Sequence, residues 1–162
     1  MIRLFCEPGT PRRAEMAAIL LENVDMRNSS LLFLGKGARW RRIPFGIKTG
    51  QAFDRYLRVR AKHPLAKLPE LWLGQRGKAL TDWGIRQMLL RRCKQAGIGR
   101  VRPHQLRHTS YHHWRDQGGS EDDAEALFGW TPGSRMSRLY GRSTRLSRAE
   151  KAARKLSVAD RL

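Results

Sequence analysis

The stretch "HQLRHTSYHHW", residues 104–114, holds four of the chain's five histidines, one arginine and one of its three tyrosines. On a helix, His104, Arg107 and His108 share a face, because residues three and four apart are neighbours. Three kinds of chemistry fit such a face. His104 and His108 have the spacing of a zinc-binding pair, but the hydrolytic zinc motif needs Glu directly after its first His, and Gln105 stands there. No third ligand lies close by, so no metal is expected. A buried, hydrogen-bonded histidine helix is the plainest reading. Phosphate chemistry is the third: Arg107 can fork onto two phosphate oxygens, and His104 can exchange a proton near neutral pH. Spacing alone leaves the last two open.

The rest of the chain bears on that choice. With 162 residues it fits one domain with an adequate core. It carries 33 Lys plus Arg against 14 Asp plus Glu, a net charge of +19, which is self-repelling unless a polyanion neutralises it. Nucleic acid is the leading partner. No long apolar run and no lipidation motif points to a membrane. Arg3, Glu7 and Pro8 interrupt any signal-peptide pattern. Cys6 and Cys93 make no disulfide framework and read as reduced thiols in a cytoplasm.

The elements that must position the chemistry follow from periodicity. Thr10 and Pro11 read as an N-cap and first helical residue for a helix over 10–22, with Ala14, Ala17, Ala18 and Leu21 at helical spacing. "LLFL", 31–34, reads as a short buried strand and "GKG" as a turn. "ARWRRIPF" alternates imperfectly, with Trp40 and Ile43 on opposite phases, yet reads best as the hairpin partner. Helices are predicted over 47–61 and 81–97, with a strand "LWLG" between them and Gly97 and Gly99 ending the second. Pro103 starts the histidine helix, and further helices are predicted over 120–128, 134–141 and 146–158. The expected fold is mainly α with a small antiparallel sheet.

Four segments, in order, resemble the tyrosine recombinases, or phage-type integrases. "HQLRHT" resembles the family's H-x-L-R-H-T box. "GTPRRAEMAAILLENVD" resembles T-G-x-R-x-x-E-L followed by D-V-D. The arginine three before Glu15 is Arg12, not Arg13, and Gly9-Thr10 stands where Thr-Gly is usual. "LLFLGKGARWRRIPF" resembles the family hairpin, with Lys36 in its turn at the family's interval from Arg12. "LFGWTPGSRMSRLYGRS" resembles the final box, with Trp130 at its His/Trp position and Tyr140 at its tyrosine. Tyr140 lies one residue farther from Trp130 than is common, with Pro132-Gly133 as the insertion, and Arg135, Arg138 and Arg142 flank it. Tyr56 and Tyr111 lack such a context and read as packing residues.

The resemblance implies a tyrosine recombinase catalytic domain over 1–146 and a helical tail over 147–162. Ala152, Leu156 and Val158 are the tail's apolar contacts, folded onto its own domain or packed on a neighbouring subunit. It also implies that the family's N-terminal DNA-clamping domain is absent here. The implied function is site-specific recombination of double-stranded DNA, without metal or cofactor. Tyr140 attacks phosphorus to form a 3′-phosphotyrosyl bond and releases a 5′-hydroxyl, which later reverses the step. Arg12 and Arg107 stabilise the charge on the non-bridging oxygens. Lys36 protonates the leaving oxygen, and His104 assists proton transfer or holds a phosphate oxygen. Trp130 offers an indole N–H and a packing face. His108 supports from behind, and Glu15 either orients neighbouring cations or, on the plainer account, makes a helix ion pair.

Arg39, Arg41, Arg42, Arg86, Arg91, Arg92 and Lys94 are expected on phosphates, and the acidic run Glu121, Asp122, Asp123 and Glu125 away from DNA. A bacterial or phage-encoded protein in the cytoplasm, at the nucleoid, is implied, tetrameric on DNA, with the monomer open to it in isolation. The alternatives are a non-catalytic DNA-binding fragment of an integrase and a strand-cleaving enzyme like the type IB topoisomerases.

Overall fold

The computed structural model of the chain describes residues 1–35, 37–74, 77–135 and 145–155. It opens with a single helical turn, α1 (Ile2–Phe5), which periodicity does not reveal. Its Leu4 and Phe5 are fully buried. The helix expected over 10–22 is shortened to α2 (Arg13–Ala17). Thr10 is not its cap: Arg12 holds that position, and the Glu15 carboxylate accepts the Arg12 backbone N–H at 2.7 Å. The chain leaves α2 early because tertiary pairing wins over helix propensity. Ile19 accepts from the Leu71 N–H and the Leu21 N–H donates to Pro69, both at 2.8 Å.

A 3-10 turn (Leu21–Asn23) leads into β1 (Val24–Asp25), β2 (Ser30–Leu34) and β3 (Trp40–Pro44). They form a three-stranded antiparallel sheet in the order β1-β2-β3, with Phe33 opposite Arg41 and Leu31 opposite Ile43. The pleat resolves the mixed phases: Leu31, Phe33 and Ile43 are buried, whereas Trp40 is 58% exposed. Two helices follow, α3 (Ile47–Ala61) and α4 (Asp82–Gln95). The predicted strand "LWLG" between them is not a ladder; only Leu73 bridges, to Ala79, and the preceding Glu70 bridges to Leu20. Arg60, 4% exposed, fastens this connection through the carbonyls of Ala66, Leu68, Glu70 and Leu71.

The remaining described elements are α5 (Pro103–Asp116), α6 (Glu121–Phe128) and α7 (Arg145–Lys155). Pro103 opens α5 as expected, and Ser120 caps α6 by accepting the Asp123 N–H at 2.9 Å. The main core packs the inner face of the sheet against Met16, Phe53, Trp72, Ile85 and Leu89. A second cluster joins α5 to α6 through Tyr111, Ala124 and Phe128, with Trp130 against it. Tyr111 is fully buried, and the Tyr56 hydroxyl donates to the Leu71 carbonyl at 2.7 Å, so both are packing residues. In the tail, Ala152 is exposed rather than an apolar contact, and Lys151 pairs with Asp116 at 2.7 Å. Leu156 and Val158, and nearly all of the helix expected over 134–141, lie outside the described residues.

Candidate active site

A cleft of about 710 Å³ opens between the entry to α2, α4, the loop before α5 and the end of α6. Arg12, His104, Arg107 and Trp130 all line it, although they come from segments spread over more than a hundred residues. Lys36 and Tyr140, and the flanking Arg138 and Arg142, lie outside the described residues.

Arg107 projects from the second turn of α5 and is 5% exposed. Its Nη1 donates to the Thr10 carbonyl and its Nη2 to the Phe128 carbonyl. The guanidinium carbon lies 4.8 Å from the Phe128 ring centroid and 5.7 Å from that of Trp130. Main-chain oxygens and aromatic faces thus hold the cation in one orientation before any anion arrives. Trp130 stacks on Phe128 with centroids 5.0 Å apart and leans on Tyr111 at 5.1 Å.

Arg12 is partly exposed at the cleft wall, and its Nη1 donates to Glu15 Oε1 at 2.8 Å. Glu15 orients two cations, since its Oε2 also accepts from Arg41 Nη2 at 3.1 Å. Burial raises the Glu15 pKa, but hydrogen bonds from Arg12 and the charges of Arg41 and Arg12 outweigh it, leaving the carboxyl below its ordinary value.

His104 is exposed at the start of α5 and lines the cleft. His108 does not join it there: its Nε2 lies 3.4 Å from the Nε2 of His112, with ring centroids 4.3 Å apart. Burial, followed by the nearby His112 and His104, pulls the His108 pKa down. Burial and then Arg148 do the same for His112. Among the described residues, His108 is not part of the cleft lining and lies against His112 instead.

Several expectations about charge change. Arg41, expected on the phosphate-facing surface, has a side chain only 10% exposed that turns inward onto Glu15, Leu127 and Phe33. Arg42 pairs with Asp25 at 3.3 Å, while Arg39 is exposed. Glu125 leaves the exposed acidic run: it is 4% exposed and accepts the backbone N–H groups of Gly133 and Ser134, each at 2.9 Å.

Sequence reasoning missed Arg13, Arg100 and Arg102, which line the cleft beside the anticipated Arg86. Arg13 pairs with Asp82 at 2.8 Å. The run "GRVRP" before Pro103 was the available signal for the other two. The cleft is therefore a walled cationic pocket, with two guanidinium groups oriented by the protein and a histidine at its rim. That is the equipment for binding and polarising a phosphate.

Residues 1–146 match the phage integrase family. The chain is 34% identical to the tyrosine recombinase XerC of Staphylococcus epidermidis over 119 residues, covering 73% of this chain and 40% of that one. It is 32% identical to XerC of Staphylococcus carnosus over the same length and coverage. The chain thus spans about 40% of the length of the curated relatives it matches. Among solved structures, the fold matches XerA recombinase with a TM-score of 0.80 and 20% identity, over 96% of this chain and 56% of that one. It matches the Tn1549 transposon integrase, solved with transposon right end DNA, with a TM-score of 0.73 and 20% identity, over 97% and 58%.

Proposed function

This chain belongs to the phage integrase family, a family of tyrosine recombinases, and we propose that it carries the catalytic machinery for cutting and rejoining double-stranded DNA through a 3′-phosphotyrosyl intermediate. The observation that carries this reading is the single cleft shared by Arg12, His104, Arg107 and Trp130. A scissile phosphate seated there meets Arg107, already fixed by two main-chain carbonyls, and Arg12, held by Glu15. Both gain strength as negative charge builds on the non-bridging oxygens. His104 holds a phosphate oxygen or moves a proton at the cleft rim. Trp130 supplies its face to Arg107.

Tyr140 is the proposed nucleophile and Lys36 the proposed donor to the leaving 5′-oxygen. Both assignments rest on their motif positions in the sequence. The covalent link conserves the energy of the phosphodiester, so rejoining needs no external energy source. Resealing with a different 5′-hydroxyl gives strand exchange. Assembly as a tetramer on DNA, and work at the nucleoid of a bacterial cytoplasm, belong to the same proposal. Among the described residues, no helix is long and apolar enough to cross a membrane.

The test is incubation with labelled DNA carrying a nicked suicide site, followed by denaturing electrophoresis. The wild type is expected to give a protein–DNA adduct. Tyr140→Phe keeps the ring, is expected to bind DNA equally, and forms none. An adduct from Tyr140→Phe removes that residue as nucleophile. DNA binding by the wild type without any adduct favours the non-catalytic reading.

A further inference from the structure

We infer that Arg41 is a positioning residue of the cleft: an internal cation on β3 that fixes Arg12, through Glu15, and the turn that follows α6 in one common geometry. The inference rests on the strand-cleavage reading above, because it assigns Arg41 a part in that chemistry.

Three arginines lie on the descending arm of the hairpin, and only Arg41 turns inward. Its side chain is 10% exposed, against 56% for Arg42. The register explains this. Arg41 pairs with Phe33, and cross-strand partners project to the same face of a sheet. The guanidinium carbon accordingly lies 4.5 Å from the Phe33 ring centroid. From there the planar fork reaches two acceptors in different parts of the fold. Nη2 donates to Glu15 Oε2 at 3.1 Å, and Nη1 donates to the Leu127 carbonyl at 2.6 Å.

Each acceptor supports a different arginine of the cleft. Glu15 accepts the Arg12 Nη1 at 2.8 Å and the Arg12 backbone N–H at 2.7 Å, so Arg41 and Arg12 share one carboxylate. The Leu127 carbonyl precedes that of Phe128, which accepts from Arg107. The two carbonyls belong to the last turn of α6, and Trp130 follows after Gly129. The chain leaves α6 at Gly129 with φ +62°, and a Cβ built there would lie 2.6 Å from Arg41 Nε. Glycine at 129 thus serves both the left-handed backbone and the seat of Arg41.

Arg41 itself does not line the cleft, so it acts through Glu15 and the α6 turn rather than on DNA. A lysine cannot replace it. One ammonium lacks the planar fork that spans a carboxylate and a carbonyl at once. Misplacing a charged group by about 1 Å is enough to cost a reaction on the order of 10²-fold.

The experiment compares Arg41→Lys, Arg41→Met, Glu15→Gln and the Arg41→Met/Glu15→Gln double variant. Melting temperature, DNA affinity and the single-turnover rate of adduct formation are measured for each. Arg41→Lys is expected to melt near the wild type, to bind DNA within about 3-fold, and to form adduct about 10- to 100-fold more slowly. In the Glu15→Gln background, Arg41→Met is expected to slow the reaction by less than it does in the wild type, because the Glu15 branch is already lost while the Leu127 branch remains, and coupled groups are not additive. Losses that multiply, or that track only the fraction unfolded, would overturn the inference.

If the wild type forms no adduct, the strand-cleavage reading has failed instead. Inorganic phosphate is then titrated while the Arg12 and Arg107 side-chain signals are followed by nuclear magnetic resonance. Arg41→Lys is expected to weaken phosphate binding at least about 10-fold. Equal binding by wild type and Arg41→Lys overturns the positioning role.

Discussion

Arg107 gives two donors to main-chain carbonyls, so its truncation to Ala removes a structural brace as well as a charge. Arg107→Lys separates the two, keeping the charge and losing the fork. It is expected to bind DNA within about 3-fold of wild type, since one phosphate contact is a small share of the total. It is expected to form adduct on the order of 10²–10³-fold more slowly, the scale of one lost transition-state donor. Equal losses in filter binding and in the adduct assay would make Arg107 a DNA anchor. Glu15 gives a second test at this scale. Its folded pKa lies below the unfolded value of about 4.3. Its ionised form therefore stabilises the fold fully above that pH, and the contribution fades as pH falls through the lowered value. Acid unfolding of Glu15→Gln, followed by circular dichroism, is expected to lose stability less steeply below about pH 4.3 than the wild type. Parallel curves would show that the Glu15 charge stabilises nothing.

Among the elements, α6 and the turn after it connect the second core to the segment that carries Tyr140. Ser120 and the acidic first turn begin α6, and left-handed Gly129 ends it. Glu125 then reaches forward to the backbone of Gly133 and Ser134, setting the direction in which the chain departs. Glu125→Ala removes both charge-assisted contacts. The expected result is a lower melting temperature and adduct formation reduced more than DNA binding. Unchanged adduct formation in a variant that still folds would separate the turn from the chemistry. The elements differ in how legible they are. The ends of α4, α5 and α6 carry Thr81, Pro103 and Ser120, whose capping chemistry is local. The short α2 is not legible, because its end is set by pairing with residues 69–71, about fifty positions away.

For the molecule as a whole, the net charge of +19 predicts binding dominated by phosphate contacts. Each neutralised phosphate releases condensed counterions. Affinity for an arbitrary duplex is expected to fall steeply between roughly 50 and 200 mM salt, with little dependence on sequence. Fluorescence anisotropy across that range checks it, and a flat response would contradict it. The charge is not spread over one uniform shell. Arg41, Arg60 and Arg107 spend their guanidinium groups inside the fold, on carbonyls and on Glu15. The Arg12 and Arg86 side chains stand at the cleft.

The family, the mainly helical fold and the order of the motifs were legible because they depend on residue type and spacing along the chain. Arg12 was separated from Arg13 by its offset from Glu15 alone, and the cleft contains both. What spacing cannot give is the environment of a charge. Alternation around Arg41 and Arg42 is ambiguous, because Trp40 and Ile43 fall on opposite phases. The pleat of β3 turns one onto Phe33 and leaves the other mostly in solvent. Likewise Glu125 belongs to an acidic run in sequence, but the face of α6 that meets the following turn buries it. The tertiary structure decided these roles, because a side chain's solvation and partners are set by what folds against it from elsewhere in the chain.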